Sequence, residues 1–220
     1  MIELHNVTKR YRESGEALAD VSFSMARGEM VFLTGHSGAG KSTLLRLIPL
    51  LERPSRGEIL LDGQRIENLP ARKIPFLRRK LGLIFQDYRL LNDRSVFDNV
   101  ALPLLITGHN PLEVGRRVRA ALDKVGLLRK EKRNPLALSG GEQQRVGIAR
   151  AIVHKPPIIL ADEPTGNLDP ELSEEIMNLF RDFNAVGVTT LIASHDRDLI
   201  ARFGRRTLQL EHGRLISTPD

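Results

Sequence analysis

The sequence predicts an α/β fold with a mostly parallel core sheet and a largely helical stretch over roughly residues 87–150. Three observations carry this. Met30–Thr34 is a short apolar strand that stops at a glycine loop and runs into the helical segment Lys41–Ile48. Ile158–Ala161 and Thr189–Ala193 read as strands separated by the helical stretch Pro170–Asn184, the spacing of a βαβ unit. The chain from Asp87 to Leu138 reads as mostly helical, with breaks at Pro103, at Gly108-His109-Asn110-Pro111 and at Asn134-Pro135.

The remaining elements follow from the same signals. Ile2–Val7 and Val21–Met25 alternate as strands do, with the turn-rich Glu13-Ser14-Gly15-Glu16 nearby. Pro49 ends the helix that follows the glycine loop. Glu58–Leu61 reads as a strand and Leu81–Phe85 as a buried one; Glu142–Val153 is helical. Arg206–Leu210 and Arg214–Ser217 form a hairpin around His212-Gly213. There is no internal repeat, and one domain over 1–220 is expected.

Composition narrows the function. With 41% hydrophobic and 27% charged residues, the 220-residue chain has an ordinary globular balance. It contains no cysteine, which excludes disulfides, thiolate metal sites and cysteine nucleophiles. The net charge of +6 is spread along the chain. Its densest cluster is Arg116, Arg117 and Arg119, continuing at Lys124, Arg129, Lys130, Lys132 and Arg133, where helical spacing predicts a wet face. No nucleic-acid partner is expected. No secretory signal or lipidated cysteine is expected, and runs such as Val100–Ile106 are far shorter than a membrane span. Membrane association is expected only through a partner or through surface charge.

The segment Gly35-His36-Ser37-Gly38-Ala39-Gly40-Lys41-Ser42-Thr43 satisfies G-x-x-x-x-G-K-[ST] between a strand and a helix. Glycines let several backbone N–H groups curl around one anion, and the following helix adds the positive end of its dipole. Lys41 is placed to reach the β- and γ-phosphates of a nucleotide, and Ser42 to ligate Mg²⁺. The strand Ile158–Ala161 then delivers Asp162 and Glu163. Asp162 is the candidate for Mg²⁺ and Glu163 for polarising the attacking water; the alternative is an acid pair that merely opens the loop before Pro164. Ser139-Gly140-Gly141 before a helix leaves N–H groups free for a second anion. Ser139 followed by Glu142 is equally the pattern of a helix-capping box.

The run Leu138-Ser139-Gly140-Gly141-Glu142-Gln143-Gln144-Arg145 resembles the signature motif of ABC ATPases. The other stations of that family occur in order. Gln86 resembles its Q-loop glutamine, Asn167-Leu168-Asp169 its D-loop and His195 its switch histidine; Tyr11 stands where the family stacks an aromatic on adenine. The resemblance implies a P-loop NTPase fold of ABC type with an N-terminal antiparallel β subdomain and a helical subdomain. It also implies a homodimer in the ATP-bound state, with each ATP clamped between the phosphate loop of one copy and the signature helix of the other. In that setting Gln86 senses Mg²⁺ and His195 holds the γ-phosphate or the water.

The stretches 34–45, 75–87, 93–104 and 138–151 further resemble the cell-division branch of the family. That branch implies an integral membrane partner of the FtsX type, docking near residues 76–100, at the cytoplasmic face of the bacterial inner membrane and the division site. Phe76, Leu90, Leu91 and Phe97 are the candidate groove residues, with core packing as the alternative for each. Lipoprotein-releasing and macrolide-export ATPases are the alternative branch. A scaffold in which ATP binding alone sets the dimer is the alternative outside enzymes.

Overall fold

The computed structural model describes residues 1–13, 15–166 and 168–216. The chain opens with β1 (Ile2–Tyr11), β2 (Gly15–Met25) and β3 (Met30–Thr34), then α1 (Lys41–Leu47), β4 (Arg56–Leu61) and β5 (Gln64–Arg65). A short α2 (Ile74–Arg78) leads to β6 (Leu81–Ile84). Three helices follow, α3 (Val96–Ile106), α4 (Pro111–Lys124) and α5 (Gly140–Ile152). The chain finishes with β7 (Ile158–Asp162), α6 (Pro170–Ala185), β8 (Thr189–Ala193), α7 (Arg197–Phe203), β9 (Thr207–Glu211) and β10 (Arg214–Ile216).

Two sheets result. β2-β1-β4-β5 pair antiparallel, and β10-β9-β3-β8-β7-β6 form a second sheet in which only the β9/β10 hairpin is antiparallel. The central strands read as unbroken apolar runs because both of their faces are covered. In β7, Ile159 and Ala161 pack into a helical-side core with Val118, Val146 and Phe180. Ile158 and Leu160 pack on the other face with Ile2, Leu4, Leu44 and Ile59 of the first sheet and α1. Burying each such Leu or Ile contributes about 1.5–3 kcal/mol. Because β3, β6, β7 and β8 are mutually parallel, the segments after them, which begin at Gly35, Phe85, Glu163 and Ser194, all emerge along one sheet edge.

The structure corrects two details of the sequence reading. Pro103 does not break a helix; it lies inside α3. The proline removes the N–H that would bond the Asn99 carbonyl, yet Val100, Ala101 and Leu104 are buried around it, and Ser95 and Asp98 close a capping box at the helix start. That burial and cap outweigh one lost bond. The first hairpin is also longer than its alternating cores, running to Tyr11 and from Gly15 through shifts in register. Ser14 and Ser217 lie outside the described residues.

Candidate active site

The phosphate-loop segment joins β3 to α1. Two of its glycines are obligatory. Gly35 (φ 151°) and Gly40 (φ 108°) sit where L side chains rarely go. A Cβ on Gly35 would approach that of Ala39 to 2.9 Å, and one on Gly40 the Ala17 carbonyl oxygen to 2.7 Å. The loop therefore curls back on itself. Lys41, only 9% exposed, donates from Nζ to the carbonyl oxygens of Gly35 (2.7 Å) and His36 (3.3 Å). Its ammonium lies 3.9 Å from Glu163 Oε1.

Asp162 closes β7 and shares the cleft with Ser42. Burial pushes its carboxyl above the ordinary carboxylate value; Ser42 opposes that, Glu163 adds to it, and Lys41 and Arg46 pull it back down. Its Oδ1 is buried with no hydrogen-bond partner. An orphaned carboxylate oxygen beside a hydroxyl is the donor chemistry of a hard cation. Gln86, exposed two residues past β6, adds an amide to the same cleft. Among the described residues no group of three or more His, Cys, Asp and Glu side chains gathers as a metal site.

Glu163 is turned by a left-handed backbone (φ 48°), with its N–H donating to the Ala193 carbonyl at the end of β8 (3.0 Å). The side chain is 11% exposed, and its Oε2 accepts from Nδ1 of His195 at 2.9 Å. That bond makes Nδ1 a protonated nitrogen and leaves Nε2 for a second partner. Residues 37–43, Gln86, Asp162, Glu163 and His195 thus line one cleft of about 450 Å³.

Other predicted residues lie off that cleft. Tyr11 ends β1, its hydroxyl donating to Glu52 Oε2 (2.6 Å), with the Lys9 ammonium 4.9 Å from its ring centroid. Burial, then the Glu52 bond, raises its phenol pKa. The neighbouring Thr43 side chain of the phosphate loop opposes that rise. His36 turns Nδ1 onto the Ser37 carbonyl oxygen (2.7 Å) and its ring stands 5.0 Å from that of His212. Ser139, Gly140 and Gly141 start α5, where Ser139 and Glu142 do form a capping box. Lys130 pairs with Glu142 and, as the first cause, lowers its pKa. Asp169 caps α6, accepting from the Leu172 N–H at 2.9 Å. Asn167 lies outside the described residues.

The family profile described as ABC transporter matches residues 18–166. The chain belongs to the ABC transporter family. It is an ABC ATPase cassette. Over 215 residues it is 60% identical to the cell division ATP-binding protein FtsE of Escherichia coli (strain K12), covering 98% of this chain and 97% of that one. The solved dimeric structure of MJ0796, a bacterial ABC transporter cassette, superposes with a TM-score of 0.95 at 38% identity, covering 100% of this chain and 98% of the other. A post-hydrolysis dimer of MJ0796 bound to ADP and Pi matches with the same TM-score and coverage at 37% identity.

The cassette also holds features that the motifs did not reveal. Arg150, in the last turn of α5, donates from Nη1 to the Arg89 carbonyl and from Nη2 to the Tyr88 carbonyl, each at 2.6 Å. Both acceptors have left-handed backbones (φ 54° for Tyr88, 49° for Arg89) immediately after Gln86 and Asp87. Burial lowers the guanidinium pKa, yet it stays charged at neutral pH. Of the predicted groove residues, Phe76 (60%) and Leu91 (40%) are exposed. For Leu90 and Phe97 the core-packing alternative holds: both are partly buried against the helical-side core. Leu105 (55%) and Ile106 (63%) are exposed in their place. An alternation or helix period identifies an apolar face but not which of two apolar faces is covered.

Proposed function

We propose that this cassette binds and hydrolyses ATP as the motor subunit of a cell-division ABC complex, working as a homodimer. The observation that carries the reading is the Glu163 carboxylate, held between the Lys41 ammonium and the His195 ring in a cleft walled by the phosphate loop. Lys41 exchanges its loop carbonyls for β- and γ-phosphate oxygens when the nucleotide arrives. Ser42, Gln86 and Asp162 are the residues that would hold Mg²⁺, which supplies charge neutralisation on those phosphates when bound. Glu163 orients the attacking water and accepts its hydrogen bond, and His195, fixed by Glu163 through Nδ1, keeps its other nitrogen for the water or the γ-phosphate group. Water adds to the γ-phosphorus, the bond to the β–γ bridging oxygen breaks, and ADP and phosphate leave. Ser139, Gly140 and Gly141 of a second copy close over the same γ-phosphate, with Asp169 at the dimer seam and Tyr11 against the adenine.

No helix among the described residues is long and apolar enough to cross a membrane. The membrane partner, of FtsX type, docks beside residues 76–100. A groove of about 440 Å³ lined by Arg79, Leu83, Phe85, Leu102, Ile106 and Arg150 supports that placement, with Phe76 and Ile106 exposed around it. Glu163→Gln is the test. It should retain ATP binding, lose steady-state hydrolysis by about 100-fold or more, and accumulate a dimer in size-exclusion chromatography with ATP. Turnover within twofold of the parent would remove Glu163 from the chemistry and the reading with it.

A further inference from the structure

We propose that the cassette carries a second binding surface, an apolar trough with a basic rim that takes an acidic amphipathic segment of another protein. The trough, of about 750 Å³, lies between α4, the turn before β7 and the end of α6. Val153, Phe183 and Val188 contribute to its apolar lining, and Val186 stands 79% exposed beside them. Along α4, Arg116, Ala120 and Lys124 recur every fourth residue and so form one wall, in which the small Ala120 keeps the trough open. Lys155 faces that wall from the turn before β7. Among the described residues Arg116, Lys124 and Lys155 have no ion-pair partner, whereas Arg117 is bound to Glu113. The lining offers a single carboxylate, Asp182.

The basic cluster seen in the sequence is therefore more than a wet face, because part of it borders apolar surface that solvation cannot satisfy. Unpaired cations around an apolar floor match a partner helix with carboxylates beside leucine-like side chains. Nucleic acid would leave the floor uncovered, and a flat anionic bilayer would meet the rim while leaving the recessed floor unfilled. Lys155 and Pro156 precede β7, and Val186 and Val188 precede β8, so the trough opens at the sheet edge opposite the phosphate loop. An occupant there leaves the nucleotide cleft clear, and the proposal stands whether or not the assigned catalytic roles hold.

The full chain is titrated into a fluorescein-labelled helical peptide with leucines at i, i+3, i+4 and i+7 and glutamates elsewhere, followed by anisotropy. A scrambled peptide of equal composition and phosphatidylglycerol vesicles run in parallel. Saturable binding is expected for the amphipathic peptide, with the scramble about tenfold weaker. The double variant Lys124→Glu, Lys155→Glu should weaken binding about tenfold, as rim charges reverse. Ala120→Phe should do the same by filling the trough without touching charge, and basal ATP hydrolysis in both variants should match the parent, which also shows that they fold. Equal binding by parent and variants, or by peptide and scramble, overturns the proposal. So does binding of the vesicles, but not of the peptide, with the same dependence on these residues.

Discussion

Replacing Arg150 by methionine removes the clamp on the turn after Gln86 while keeping most of the side chain's apolar volume. Two hydrogen bonds from a charged donor, each at 2.6 Å, would contribute about 1.5–3 kcal/mol apiece if fully buried. Arg89 is exposed and Tyr88 half-buried, so water recovers part of that, and a loss of about 3 kcal/mol is a fair sum. Against it, Tyr88 and Arg89 at φ 54° and 49° each hold about 1 kcal/mol of backbone strain that an unclamped turn releases. The net loss in global stability is then about 1 kcal/mol, a fall in Tm of about 3 °C for this chain length. The turn itself fares worse, since about 3 kcal/mol of bias toward one conformation vanishes. Gln86 sits two residues upstream, so ATP turnover should drop about tenfold while ATP affinity stays within about twofold. Amide exchange at Tyr88, Arg89 and Leu90 should quicken, and Arg150→Lys, which can rebuild one of the two bonds, should recover part of both effects. If Arg150→Met leaves turnover and local exchange unchanged, the clamp has no functional weight; if Tm falls by more than about 10 °C, Arg150 is a packing residue.

Asp162→Asn should stabilise the nucleotide-free protein by about 1 kcal/mol, a Tm rise of about 3 °C, because it removes a buried charge whose Oδ1 has no partner. The sign follows from its raised folded pKa: the folded state holds that proton more tightly than the unfolded one, so stability falls as pH climbs from the ordinary carboxylate value through the raised one. A thermal-shift pH series should lose that component in the variant, along with the extra shift produced by Mg²⁺ and ATP together. Tyr11→Phe should keep ATP affinity within about twofold while Tyr11→Ala loses about tenfold, as measured by fluorescent-nucleotide titration, because in the proposed placement the ring would stack on adenine while the hydroxyl is already given to Glu52. Gly141→Ala should weaken ATP-driven dimerisation about tenfold by sedimentation, since the new Cβ would come 2.9 Å from Leu168 Cδ2 and crowd the start of α5; equal dimerisation would show that the helix start takes no part.

How far the sequence reaches depends on the range of each contact. The phosphate loop was legible because its work is done within nine consecutive residues, and the strand-borne Asp162 and Glu163 were legible because a parallel sheet delivers its strand ends to one edge. The βαβ strands were legible for a related reason: two covered faces make each an unbroken apolar run. Arg150 was not, since its acceptors lie 61 and 62 residues away and are main-chain carbonyls that carry no residue signature. Nor was the Glu163–His195 bond, which spans 32 residues and depends on a left-handed backbone at Glu163 that no glycine announces. Pro103 carries a helix-breaking signal that the burial of Val100 and Leu104 overrides, a tertiary effect that local propensity does not contain.

The two readings of Ser139-Gly140-Gly141 as cap and as anion site turn out to be compatible. The Ser139 side chain bonds the Glu142 N–H and the Glu142 side chain returns to the Ser139 N–H. The N–H groups of Gly140 and Gly141 lie in the first turn, where no intrahelical acceptor exists, so the cap secures the helix without using the groups a phosphate needs. The missing side chains serve a second purpose on the same residues. A Cβ on Gly140 would stand 3.2 Å from the Tyr88 hydroxyl, and Gly141 lies against Leu168, one residue before Asp169. The helix start is thus packed by the segments that follow Gln86 and precede Asp169. In the last turn of this 13-residue helix, Arg150 grips the carbonyls of Tyr88 and Arg89. A helix of that length is a rigid strut of about 20 Å. In the proposed dimer one end would face the ATP of a second copy, while the other holds the turn between Gln86 and the groove beside α3. If the proposed dimer and docking site hold, closure would have a mechanical route from the Ser139 end of α5 to the groove lined by Phe85 and Ile106, one that does not pass through Glu163.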